Sequence, residues 1–194
     1  MTLNATPDDR ELVLAPLDER ADHVRGSPAD HLIIEYGDYE CPYSRQAFHA
    51  IEQVEQRLDG NMRFAFRHFP LTGIHPHALA AAAAAEAAAR QGRFWDMHEL
   101  LFHRQKALED GDLRGYAAQL GLDVAAFDRD RASIAVADRI RRDVDSGLAS
   151  GQVVGTPTLF IDGVVHRGGY DPPTLLAALR PGEQLPVIRS RGVP

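Results

Sequence analysis

The order of periodic segments predicts an α/β fold: a central mixed β-sheet flanked by helices and interrupted by a helical insertion. Three observations carry this. An apolar run, an amphipathic helix and an alternating run follow one another between residues 31 and 67. Residues 76–150 then read as helix throughout. A hairpin signature, two apolar runs about the pair Asp162-Gly163, comes after them.

His31-Leu32-Ile33-Ile34-Glu35-Tyr36 is short, apolar and partly β-branched, the pattern of a buried strand ended by Gly37-Asp38. Pro42 stands where a helix tolerates proline best, at its first position, and Ala47, Ile51, Val54 and Leu58 follow on one face. Gly60 is placed to stop that helix, and Met62 to Arg67 alternates apolar with polar as a second strand. Parallel strands need a crossover helix, so the three segments sum to a βαβ unit.

The alanine-dense stretch from Ala78 to Arg90 has high helix propensity, and its small side chains let neighbouring helices approach closely. Phe94, Trp95, His98, Leu101 and Phe102 form a bulky face on the next helix, and Leu113–Leu120 and Val124–Asp130 give two short ones. Val136, Ile140, Val144 and Leu148 recur every fourth residue and predict a longer helix closed by Gly151. Thr158 to Ile161 and Val164 to Arg167 pair across Asp162-Gly163, and Asp171 caps a last helix running to Arg180. The expected organisation is an N-terminal arm over 1–30 with an edge strand at Leu12-Val13-Leu14, a core from 31–75 and 151–180, the insertion over 76–150, and a tail over 181–194.

A formal net charge of −7 argues against a nucleic-acid partner, whose phosphates call for a basic footprint. No run approaches the roughly 18 apolar residues of a membrane span, and the N-terminus has neither a basic nor an apolar leader-like region, so no membrane partner and a cytoplasmic address are expected. There is one cysteine, Cys41, which excludes an internal disulfide and a cysteine-rich metal cage. His98 and His103 are five apart rather than four, which is wrong for a zinc pair on one helix face, and no metal is expected there or at His75 and His77.

Four segments carry a resemblance: Asp22-His23-Val24, Glu35 to Tyr43, Phe94-Trp95-Asp96-Met97-His98, and Val154-Gly155-Thr156-Pro157-Thr158 ahead of a strand. Through them residues 22 to 180 resemble the DsbA-like thiol–disulfide oxidoreductases of the thioredoxin fold, which carry a helical insertion. Family members usually have Cys-x-x-Cys, whereas this chain reads Cys41-Pro42-Tyr43-Ser44. Without the second thiol it cannot hold an internal disulfide to donate.

Cys41 is the expected nucleophile. A thiol of pKa near 8.5 is about 3% ionised at pH 7, and one lowered to about 7 at a helix N-terminus is about half ionised. The Ser44 hydroxyl, three residues on, is expected to donate to the sulfur. The resemblance implies a histidine where Tyr43 stands, a cis peptide at Thr156-Pro157 facing the thiol, and a buried carboxylate, Glu35, that relays a proton. Pro42, Tyr43, Thr156 and Pro157 would line the substrate site.

The implied activity is monothiol exchange through a mixed disulfide at Cys41, of reductase, isomerase or deglutathionylating type. Its partners would be protein disulfides or glutathionylated proteins, with glutathione or another small thiol as co-substrate and no bound cofactor. Two alternatives share the fold. The tetrapeptide is similar to the Ser-Pro-Tyr-Ser-like start of kappa-type glutathione transferases and their isomerase relatives, and a redox-inactive peptide-binding or chaperone module would keep only the groove at Pro157.

Overall fold

A computed structural model describes residues 15–179. The expected edge strand at residues 12–14 lies outside them. Instead β1 is His23–Arg25, followed by β2 (His31–Gly37), α1 (Pro42–Arg57) and β3 (Met62–His68). The insertion comprises α2 (Ala78–Ala89), α3 (Phe94–His103), α4 (Asp110–Gln119), α5 (Val124–Arg131) and α6 (Ile134–Ala149). The hairpin β4 (Thr158–Ile161) and β5 (Val164–Val165) and the helix α7 (Pro172–Leu179) complete the order.

The sheet order is β1-β3-β2-β4-β5, with β2 and β3 parallel and the other neighbours antiparallel. Strand alternation then sorts the side chains. Ile33, Phe64, Phe66, Leu159 and Ile161 enter one core with Phe48, Ile51 and Val54 of α1 and Leu175 and Leu179 of α7. Ile34, Tyr36, Ala65 and Phe160 enter a second, which Val144 of α6 and Val153 cover. The first core continues without a break into α2, α3, α4 and α5, so the insertion and the sheet share their packing.

Two details depart from the expected periodicity. In α6 the stripe drifts: a step of four residues overshoots one turn by about 40°, so Leu148 has rotated by about 120° from Val136. Leu148 is exposed, and Val136, Ile140, Asp143 and Gly147 form the buried face instead. Gly147 is there because a Cβ would come within 3.0 Å of the Tyr36 ring. The second hairpin strand is only Val164–Val165, so His166 and Arg167 fall outside the sheet. Its turn behaves as read, with Asp162 and Gly163 both at positive φ (49° and 85°).

Candidate active site

Cys41 is the N-cap of α1, in extended conformation (φ −74°, ψ 121°), with Pro42 at the first helical position. Proline has no N–H to lose there and its fixed φ suits the helix start. The thiol therefore stands at the positive end of a 16-residue helix, where anionic charge is favoured. The thiol is nonetheless enclosed: Cys41 is 3% accessible, and its Sγ donates to the Thr156 carbonyl at 3.3 Å.

Ser44 also departs from expectation. It is fully buried, its Oγ accepts the Asp38 N–H at 3.2 Å, and among the described residues no hydrogen bond joins it to the sulfur. It ties the β2–α1 turn to the helix rather than touching the thiol. Tyr43, by contrast, is 62% exposed, and Pro42 is exposed beside it.

The turn itself is held by Asp38, which sequence reasoning missed. Its Oδ1 accepts the Glu40 N–H at 2.8 Å, and its Oδ2 accepts the Leu71 N–H at 2.9 Å and bonds His75 Nδ1 at 2.8 Å. Glu40 binds His77 twice, through the backbone N–H (2.6 Å) and Nδ1 (2.9 Å). The segment leading to the cysteine is thereby fastened to the loop after β3. From the other side Gln105 Nε2 donates to the Tyr39 and Cys41 carbonyls at 2.8 and 2.9 Å.

Glu35 lies in β2 between Phe66 of β3 and Leu159 of β4, fully buried, and both carboxyl oxygens lack hydrogen-bond partners. Burial pushes its pKa up to about 8, against a smaller opposing effect of the Arg25 cation. It is a protonated acid at neutral pH. Gly37 leaves it room: a Cβ there would sit 2.9 Å from Glu35 Oε1 and 2.3 Å from the Phe66 ring.

The Thr156–Pro157 peptide is cis, and Pro157 is buried while Thr156 is half-buried. Tyr170, a residue the sequence did not single out, donates its hydroxyl to the Pro157 carbonyl at 2.9 Å. Burial raises its pKa, with Glu35 and Cys41 adding to the effect, so all three groups share one neighbourhood. A cavity of about 340 Å³ opens against Thr156, Pro157, Tyr170 and Arg167.

Of the seven predicted site residues, Cys41 and Thr156 are in direct contact, and Pro42, Tyr43 and Pro157 adjoin that contact. Glu35 lies behind it, and Ser44 serves the turn. Three further histidines are packed into the fold. His98 is enclosed by Tyr39, Phe48, Phe66, Trp95 and Phe102, accepts or donates a 3.0 Å bond with the Tyr39 hydroxyl, and is held well below its usual pKa by burial. His23 and His68 both bond Glu86 Oε1 through Nε2, at 2.7 and 2.8 Å. Burial would raise the Glu86 pKa, but these two bonds outweigh it and hold the carboxyl well below the usual range. The three side chains have metal-ligand types and lie within 4.8 Å of one another. Arg139 Nε, 3.8 Å from the same oxygen, supplies the compensating positive charge. The trio reads as an ion network joining β1, β3 and α2.

Comparison with known proteins agrees with this fold. A family described as Thioredoxin matches residues 18–180. A thioredoxin-like oxidoreductase from Silicibacter pomeroyi superposes with a TM-score of 0.74 at 25% identity, over 88% of this chain and 95% of its own. BdbD from Bacillus subtilis superposes equally well (TM-score 0.74) over 86% of this chain and 95% of its own, and at 21% identity shows the common fold. Among curated proteins, the Na(+)/H(+) antiporter NhaA 1 of Salinispora arenicola is 45% identical over 168 residues, 86% of this chain but 26% of the antiporter. The chain thus spans about a quarter of the length of the curated relatives it matches. With its sheet order, its Cys-Pro helix start and its Thr156–Pro157 loop, the chain belongs to the thioredoxin family.

Proposed function

We propose that the protein is a monothiol thiol–disulfide oxidoreductase, of reductase, isomerase or deglutathionylating type, acting through a mixed disulfide at Cys41. The observation that carries this is the contact between Cys41 Sγ, at the N-terminus of α1, and the Thr156 carbonyl. The only thiol of the chain meets the loop that in this family faces the redox centre.

In this reading the Cys41 thiol gives up its bond to the Thr156 carbonyl and releases its proton to water, and the resulting thiolate attacks a disulfide sulfur. A bond forms between Sγ and that sulfur, the substrate disulfide breaks, and the displaced thiolate takes up a proton. A second thiol, from glutathione or from the substrate, then attacks the mixed disulfide and releases Cys41. Glu35 is protonated up to about pH 8, which suits it to return a proton to the departing sulfur. Tyr43 and Pro42 are the exposed residues beside the thiol, and Thr156 and Pro157 form the opposite wall. Substrates are protein disulfides or glutathionylated proteins, and a cytoplasmic setting suits a lone thiol resolved by a small reductant.

The test is reduction of a glutathionylated peptide with glutathione and glutathione reductase as the coupled system. Turnover that disappears in Cys41→Ser supports the reading. Equal background rates for wild type and Cys41→Ser would contradict it and favour the peptide-binding module.

A further inference from the structure

A second cavity, of about 470 Å³, is lined by Arg45, one turn along α1 from Cys41, and by His103, Arg104, Gln105 and Lys106. That volume lies in the ordinary range for small-ligand sites. Two of its residues are bonded to the cysteine itself: the Arg45 N–H and Gln105 Nε2 both donate to the Cys41 carbonyl, at 3.2 and 2.9 Å.

Its charge is unlike the rest of the molecule. The chain carries a net −7, and many of its arginines meet a carboxylate, as Arg25 meets Glu55 and Arg67 meets Asp22. Among the described residues Arg45, Arg104 and Lys106 meet none. The nearby Glu40 is taken by His77. The Arg45 Nε is buried without a hydrogen-bond partner, and Arg104 lies over the Tyr116 ring at 5.7 Å. Lys106 is the only lysine in the chain. Three cations without counter-ions among the described residues, one with a buried orphan donor, line a single cavity whose residues Arg45 and Gln105 hold the Cys41 backbone. Carboxylate is the group that Arg and Lys donors of this kind bind best among metabolite thiols.

We propose that this cavity is a carboxylate subsite that holds a small anionic thiol of the glutathione type against Cys41. The inference rests on the monothiol reading and names its co-substrate. With glutathione disulfide as the oxidant, the Cys41 thiolate forms a bond to one sulfur, the disulfide bond breaks, and one glutathione leaves as thiolate and is protonated by water.

Two measurements test it. The first is the rate of Cys41 adduct formation with glutathione disulfide, divided by the rate with the neutral hydroxyethyl disulfide. In Arg45→Gln/Lys106→Gln this ratio is expected to fall about tenfold, whereas the charge-retaining Lys106→Arg keeps it. An unchanged ratio in the double variant overturns the proposal. The second is binding of S-methylglutathione, which cannot exchange, followed by NMR on the full chain. Binding by wild type and by Cys41→Ser, lost in the double variant, supports the subsite even if Cys41 proves unreactive. No binding by wild type, or preference for a blocked acidic peptide over S-methylglutathione, overturns it.

Discussion

The Cys41 thiol donates to the carbonyl of Thr156, 115 residues away, at 3.3 Å. The bond closes the thiol against the Thr156–Pro157 loop, so the proposed exchange at Cys41 requires this contact to open. Everything around the sulfur is organised by that closure: the Asp38 turn fixes one side, the Tyr170–Pro157 bond the other, and Glu35 lies behind.

Glu35 makes stability fall on the alkaline side. The unfolded chain releases this proton near pH 4.5, whereas the folded chain keeps it to about 8. Folding therefore takes up a proton between those values, and stability declines as pH rises from 4.5 towards 8, by at most about 5 kcal/mol in total. Urea denaturation of Glu35→Gln is expected to show a much flatter profile between pH 6 and 9 than wild type. A parallel decline in both would contradict the assignment.

Asp38→Ala leaves the Leu71 and Glu40 N–H groups and the His75 ring, all three half-buried, without their acceptor. The expected loss is about 2–4 kcal/mol, with faster alkylation of Cys41 as the turn loosens. Chemical denaturation together with iodoacetamide kinetics checks both effects.

Gly37→Ala places a methyl 2.3 Å from the Phe66 ring and 2.9 Å from Glu35 Oε1. Both neighbours are fully buried, so a loss of about 2 kcal/mol or more is expected. Thermal unfolding reads it, and a variant as stable as wild type would show that the Glu35 pocket is looser than described.

Much of the fold was legible because its signals are local. The Pro42 helix start, the Asp162-Gly163 turn and the alanine helix each follow from a few adjacent residues. What was not legible depends on partners far along the chain. His23–Arg25 is a strand because it pairs with Phe64–Phe66, not because its own composition demands it. Leu148 looked like core because spacing alone does not reveal that the buried face drifts around α6. At the site, Cys41 and Thr156–Pro157 were found from their motifs. The burial of the sulfur, the acceptor role of Ser44 and the Asp38 and Tyr170 contacts are tertiary facts. The alternation His75-x-His77 did carry a signal, for two carboxylates on the β2–α1 turn.

Ser44→Cys restores Cys-x-x-Cys at a position that is already buried in the first turn of α1. The variant is expected to reduce insulin disulfides about tenfold faster than wild type or better, since an internal thiol then resolves the mixed disulfide. No gain would mean that position 44 is too firmly enclosed to serve as a resolving site.

The most direct test of a reactive single thiol is mass spectrometry of the folded protein mixed with glutathione disulfide at neutral pH. One glutathionyl adduct is expected, located at Cys41, formed with release of one equivalent of glutathione and removed again by excess reduced thiol. A native protein that stays unmodified, while the same chain in denaturant is modified readily, would contradict it.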